Sequence, residues 1–192
     1  TPAQASSVEY SAGVVRLGNI QPAAPEVEEA TPDITDKGGD NLDKKSFADF
    51  GVTDPIVDAL EDKGITHPFP IQALTLGPAL DRHDIIGQAK TGTGKTLGFG
   101  IPVLEDVIAP DEEGYEDLLN PNKPQALIIL PTRELTKQVA QDLREAAKYL
   151  STRIVEIYGG VAFEPQLEAL ERGAAIVVGP PGRLLDLLRK GP

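Results

Sequence analysis

Lys95 and Thr96 close the run "AKTGTGKT", residues 89–96, which joins an apolar stretch to a helical pattern. Ala89, Thr91, Gly92, Thr93 and Gly94 carry little side-chain bulk, so successive backbone N–H groups can converge on one point. A helix that begins near Lys95 turns its unsatisfied N–H groups and the positive end of its dipole to the same place. A phosphate group suits such a place. Lys95 then reaches the outer phosphates of a nucleoside triphosphate, and the Thr96 hydroxyl ligates Mg2+. The strict form of the loop opens with glycine, and Ala89 is a small-residue variant. The competing reading is a tight glycine turn with a surface lysine, which leaves Gly-Lys-Thr at a helix start without a reason.

The loop needs a strand before it and a helix after it. Four short apolar runs read as buried strands: 83–88, 125–130, 153–158 and 174–178. Helical patterns cover 96–108 (weakened by Gly98, Gly100 and Pro102), 134–150, 164–172 and 184–190. In the clearest, Leu135, Val139, Leu143, Ala146, Ala147 and Leu150 share one face. Upstream, Thr53 is the expected N-cap of a helix with Pro55 in its first turn and Gly64 as its stop. Residues 70–80 form a second helix. Strands alternating with helices predict an α/β domain, a parallel β-sheet with helices on both faces.

Residues 1–45 differ in texture. They hold 8 acidic and 4 basic side chains among prolines and glycines without lasting periodicity, and are expected to be a disordered tail ahead of a domain at 46–192. "GVVRLGNI" (13–20) is their apolar piece, a short docking strand or part of the same disorder. Residues 105–117 add 7 acidic and no basic side chains and read as part of an acidic surface loop. The net charge of −12 opposes a simple electrostatic nucleic-acid binder. No run approaches the length of a membrane span. Cysteine is absent, which removes disulfides and thiolate metal sites and fits a reducing, cytoplasmic setting. The start at Thr1 and the lack of methionine suggest a piece of a longer polypeptide.

Five stretches stand in register: "GITHPFPIQ" (64–72), "AKTGTGKT", "PTRELTKQ" (131–138), Gly159-Gly160 and "PPGR" (180–183). In order and spacing they resemble the DEAD-box RNA helicases, specifically the front part of their first RecA-like domain, a P-loop NTPase fold left incomplete at residue 192. The resemblance spans residues 46–190. It implies ATP and Mg2+ as cofactors, single-stranded or short duplex RNA as partner through backbone contacts, and a second RecA-like domain of the same polypeptide. It implies that Gln72 reads adenine, since an amide can donate to N7 and accept from the N6 amino group at once. The plainer reading of Gln72 is a polar residue at a helix start. Phe47 lies where the family keeps an aromatic near the base; it also reads as a core phenylalanine, and the two readings are compatible. Ile65 holds the position of a second aromatic. Pro131, Thr132 and Arg133, with Gly159 and Gly160 and with Pro181, Gly182 and Arg183, match the family's RNA-backbone loops. Helix N-termini bind phosphate there without formal charge, which softens the objection from net charge.

Two further departures matter. Pro180 replaces the family's threonine, removing a hydroxyl and a backbone N–H together. The Asp-Glu-Ala-Asp stretch that names the family is absent, so the chain is expected to bind nucleotide and to hydrolyse it poorly or not at all. Rival readings are a P-loop ATPase acting on DNA or on protein, and a non-catalytic nucleotide-binding RNA scaffold. His67 and His83 have no ligand-spaced partners and read as structural or solvated. The cluster Asp111, Glu112, Glu113 reads as a solvated loop.

Overall fold

A computed structural model describes residues 13–16, 45–90, 92–121 and 123–190. Thr91 and the remainder of the expected tail lie outside the described residues. In chain order the elements are β1 (Gly13–Arg16), a 3-10 turn (Ala48–Phe50), α1 (Asp54–Glu61), α2 (Pro70–Leu80), α3 (Lys95–Asp106), β2 (Ala126–Ile129), α4 (Arg133–Ala146), β3 (Ile154–Glu156), α5 (Glu164–Glu171), β4 (Ile176–Gly179) and α6 (Pro181–Lys190).

The sheet order is β1-β2-β4-β3. β2 and β3 both run parallel to β4, with Ala126 and Ile154 opposite Ile176. Helices cover both faces, as the alternating pattern predicts. On one face Ala126, Ile128, Ile154, Ile176 and Val178 pack with Ile56 and Leu60 of α1, Ile101 and Leu104 of α3, and Val139 and Leu143 of α4. On the other, Val177 packs with Leu184 of α6, and Leu127, Ile129, Val155, Leu170 and Leu187 close around them. β4 is buried along its whole length, the condition that makes a parallel strand read as a continuous apolar run. Within the segment read as a tail, Gly13–Arg16 pair antiparallel with β2, Gly13 opposite Ile129. That is the docking-strand alternative, at those four residues.

Three expectations need correction. Residues 83–88 do not form a strand. They run exposed, with Ile86 fully so, and Gly87 lies beside Ile71 and Thr75 of α2. A strand must hand its backbone groups to a neighbouring edge, and residues 83–88 pair with neither edge of the four-stranded sheet. Second, Leu135 sits off the buried face of α4, 39 % exposed, while Thr136 is fully buried in the register of Val139, Ala140 and Leu143. Third, Thr53 occupies the N-cap of α1 without capping it. Its N–H and hydroxyl both donate to Glu105 Oε1, at 2.7 and 2.9 Å, and tie α1 to the end of α3.

The glycines and proline of α3 weaken its sequence signal but serve its packing. A Cβ at Gly100 would lie 2.5 Å from Leu143 Cδ2, so α4 approaches closely there. Pro102 has no N–H to give the carbonyl four residues back, that of Gly98. Thr75 Oγ1 of α2 lies 3.2 Å from that carbonyl, sharing its one proton with the Ile71 carbonyl at 2.9 Å.

Candidate nucleotide site and nucleic-acid face

α2 begins at Pro70, whose fixed φ suits a first helical position. Gln72, two residues on, is 1 % exposed. Its Oε1 accepts from the Phe69 N–H at 2.9 Å, half of a capping box, and its Nε2 donates to the Gly94 carbonyl at 2.8 Å. Donor and acceptor partners on opposite ends fix which end of the amide is which. Gly94 is the N-cap of α3 at φ 77°, left-handed backbone that favours glycine. A Cβ there would run into the Gln72 amide and come within 2.8 Å of Phe69 Cδ2. The start of α2 is thus keyed into the loop ahead of α3.

The loop is closed on itself. Lys95 Nζ donates to the Ala89 carbonyl, and Thr93 Oγ1 donates to the Lys90 carbonyl at 2.7 Å. Gly92, like Gly94, is left-handed, at φ 82°, and faces open space. Two left-handed glycines, a helix start and an ammonium drawn to the loop's own oxygen make a cradle suited to an anion. Thr96, the next residue, lies near the Asp142 carboxyl of α4. Burial, then nearby Glu145, push that carboxyl above its ordinary value, and the Thr96 hydroxyl pulls the other way. These residues fit a nucleoside triphosphate with Mg2+: the loop for phosphates, Thr96 for the metal.

Phe47 and Ile65 face inward. Phe47 is 1 % exposed in the core, and Ile65 packs against that core. The structure thus puts both in packing roles, and both of Gln72's polar groups in bonds within the chain.

The second group of residues gathers at the C-terminal ends of the three parallel strands. Thr132 caps α4, its Oγ1 accepting from the Leu135 N–H at 3.2 Å, with Pro131 exposed before it. The Gly159-Gly160 turn follows β3, and a Cβ at Gly160 would lie 3.1 Å from Arg133 Nη1. Pro181, Gly182 and Arg183 open α6. Arg183 stacks on Phe163, 3.6 Å from its ring centroid, and its Nη2 donates to the carbonyls of Val161 (2.7 Å) and Ala162 (3.2 Å). Arg133 and Arg183 therefore flank one turn, and all three loops meet.

A buried glutamine keys a helix start into the glycine-lysine-threonine loop, three turns gather at the C-terminal ends of the parallel strands, and residues 69–191 match the DEAD/DEAH box helicase model. The chain belongs to this family. It is 46% identical over 153 residues to the DEAD-box ATP-dependent RNA helicase 3B, chloroplastic, of Zea mays, covering 80% of this chain and 20% of that protein. It is 42% identical over 154 residues to the DEAD-box ATP-dependent RNA helicase 9, mitochondrial, of Arabidopsis thaliana, covering 80% and 24%. Among solved structures, the RNA-helicase Prp28 from Chaetomium thermophilum bound to ADP superposes with TM-score 0.66 at 36% identity, over 76% of this chain and 34% of that one. A DEAD box protein from the hyperthermophile Methanococcus jannaschii gives TM-score 0.64 at 37% identity, over 76% and 37%. The chain spans about a fifth to a quarter of the length of these two plant relatives.

Within this DEAD/DEAH box chain, sequence reading missed several side chains that shape the site. Thr75, one turn after Gln72, lies at the gap left by Pro102. Gln166, 7 % exposed, clasps the turn after β3: its Oε1 takes the Tyr158 N–H, and its Nε2 donates to the carbonyls of Tyr158 and Ala162. Tyr158 lies beneath Arg133 and Lys137, with ring centroid distances of 4.8 and 5.4 Å. The i, i+4 spacing of Arg133 and Lys137 was a signal for that pair. No comparable signal marked Gln166. Among the described residues no helix is long and apolar enough to cross a membrane.

Proposed function

We propose that the chain supplies the ATP-binding half-site and part of the RNA groove of an ATP-dependent RNA helicase. The observation that carries this is the Gln72–Gly94 junction, which joins the glutamine stretch to the phosphate loop in a member of the DEAD/DEAH box family. Gln72 reads adenine by exchanging its bonds to Phe69 and Gly94 for the edge of the base, Lys95 stabilises charge on the phosphoryl groups and Thr96 holds Mg2+, which supplies charge neutralisation when bound. Arg133, the Gly159-Gly160 turn and Arg183 hold the sugar-phosphate backbone of RNA. A second RecA-like domain closes over both, and hydrolysis resets the cycle.

The test is a titration of the chain with fluorescent ADP and GDP in Mg2+, alongside Lys95→Ala and Gln72→Ala. ADP is expected to bind more tightly than GDP. Lys95→Ala abolishes binding, and Gln72→Ala erases the preference for adenine. Failure of both nucleotides to bind at millimolar concentration, with the chain demonstrably folded, overturns the nucleotide reading.

A further inference from the structure

The first turns of α4 are electrostatically unsettled. Arg133 stands at the first position of the helix and Lys137 one turn later, so two cations lie at the end where the dipole is already positive, an unfavourable place for them. Further along α4 three charges are paired: Arg144 with Glu156 at 2.5 Å, Glu145 with Lys63 at 3.1 Å, and Lys148, just beyond the helix, with Asp62 at 2.5 Å. Neither Arg133 nor Lys137 has a carboxylate within ion-pair distance among the described residues, in a chain of net charge −12. Glu134 is the acid of that turn, exposed and a residue round the helix from Arg133.

What holds the two cations is the Tyr158 ring, whose negative π-face attracts both. The backbone that carries the ring is held, because Gln166 bonds both backbone groups of Tyr158. The Gly160 backbone abuts Arg133 on the other side. A half-buried aromatic carrying two cations, one half-buried and one exposed, without a carboxylate partner among the described residues, is a seat for a polyanion that brings its own charges in series.

We propose that Lys137 is a further RNA-backbone contact and Tyr158 its positioning residue, extending the path from Arg133 by one phosphate. The proposal rests on reading the Arg133–Gly160 face as RNA-binding. Residues four apart on a helix place their Cβ atoms about 5–6 Å from each other, so the two cations address separate groups along one strand. Lys137 acts through charge alone. Tyr158 acts through its ring, and its hydroxyl is not needed.

The experiment measures binding of a short labelled oligouridylate to the chain by fluorescence anisotropy across a salt series, for the parent and for Arg133→Ala, Lys137→Ala, Lys137→Arg, Tyr158→Phe and Tyr158→Leu. ADP binding is followed in parallel as a control for folding. Lys137→Ala is expected to weaken RNA several-fold and to lower the slope of log K against log salt by roughly 0.7, the loss of one phosphate contact on a single strand. Lys137→Arg restores the slope, Tyr158→Phe matches the parent and Tyr158→Leu weakens RNA, while ADP binding is unchanged in all four. An unchanged slope in Lys137→Ala beside a reduced one in Arg133→Ala overturns the proposal and leaves the RNA reading standing. Binding of polyglutamate as tight as that of RNA makes this a general anion face and overturns it too. If the ADP-binding parent shows no saturable RNA binding, the RNA reading and the proposal fall together while the nucleotide reading stands.

Discussion

Gln72 holds two parts of the molecule with one amide. Its partners, the Phe69 N–H and the Gly94 carbonyl, lie on different segments, and leaving either without a partner costs about 1–3 kcal/mol. Gly94→Ala attacks the same junction from the other side: left-handed backbone costs a non-glycine residue about 1–2 kcal/mol, and the new methyl displaces the Gln72 amide. Both single variants are therefore expected to lower urea stability by roughly 2–4 kcal/mol. The double variant should fall well short of the sum, because one broken junction cannot be broken again. Additive losses would mean that glycine and glutamine act separately. On its residues alone the sequence read Gln72 as a polar residue at a helix start, and only the family resemblance gave it chemistry. That the amide would be buried and shared with the loop was not legible, because residues 72 and 94 share no periodicity.

At the scale of elements, α4 and α6 begin differently. Thr132 caps α4, whereas Pro180, in the equivalent place before α6, has no hydroxyl to offer. Thr132→Ala is expected to lower the thermal midpoint by an amount equivalent to about 1 kcal/mol, and Pro180→Thr to raise it by up to a similar amount. Calorimetry on the two variants checks both signs. A Pro180→Thr chain no more stable than its parent would show that α6 does not need a side-chain cap. The departure at Pro180 was visible in the sequence because the two loops repeat one design. Elsewhere the same kind of reading failed for physical reasons. Residues 83–88 carry the composition of a buried strand, but composition does not supply the neighbouring edge that makes one. Gly98, Gly100 and Pro102 lower helix propensity in isolation, and only the approach of Thr75 and Leu143 shows what they are for. The parallel sheet, its three paired apolar runs and the covering helices were legible because alternation and amphipathic spacing are local properties.

For the whole molecule the governing variable is charge. The C-terminal ends of α1 and α4 are tied by Asp62, whose Oδ2 takes Lys148 Nζ at 2.5 Å and the Tyr149 hydroxyl at 2.7 Å, and by the Lys63–Glu145 pair. Lys148, then Tyr149, hold the Asp62 carboxyl below its ordinary 3.8, and Gln141, then Lys63, hold Glu145 below 4.5. A carboxyl lowered in the folded state stabilises fully above its unfolded value and loses that contribution as pH falls through the folded one. Lys148 is raised, chiefly by Asp62, so its contribution disappears only at strongly alkaline pH. Asp142 runs the other way: raised by burial, it penalises the folded state at neutral pH, and the penalty lifts as it protonates. Acidification also relieves the self-repulsion of a chain at −12. The melting midpoint is therefore expected to rise from pH 7 into the mildly acidic range and to fall again as pH drops through and below the ordinary 4.5 and 3.8 of the tied carboxyls. Asp142→Asn should flatten the rise and Lys148→Met the fall. Salt should shrink both limbs, since the tie is exposed and screened. A midpoint that falls steadily from pH 7 downward would show that the ties outweigh both Asp142 and the net charge across the whole range.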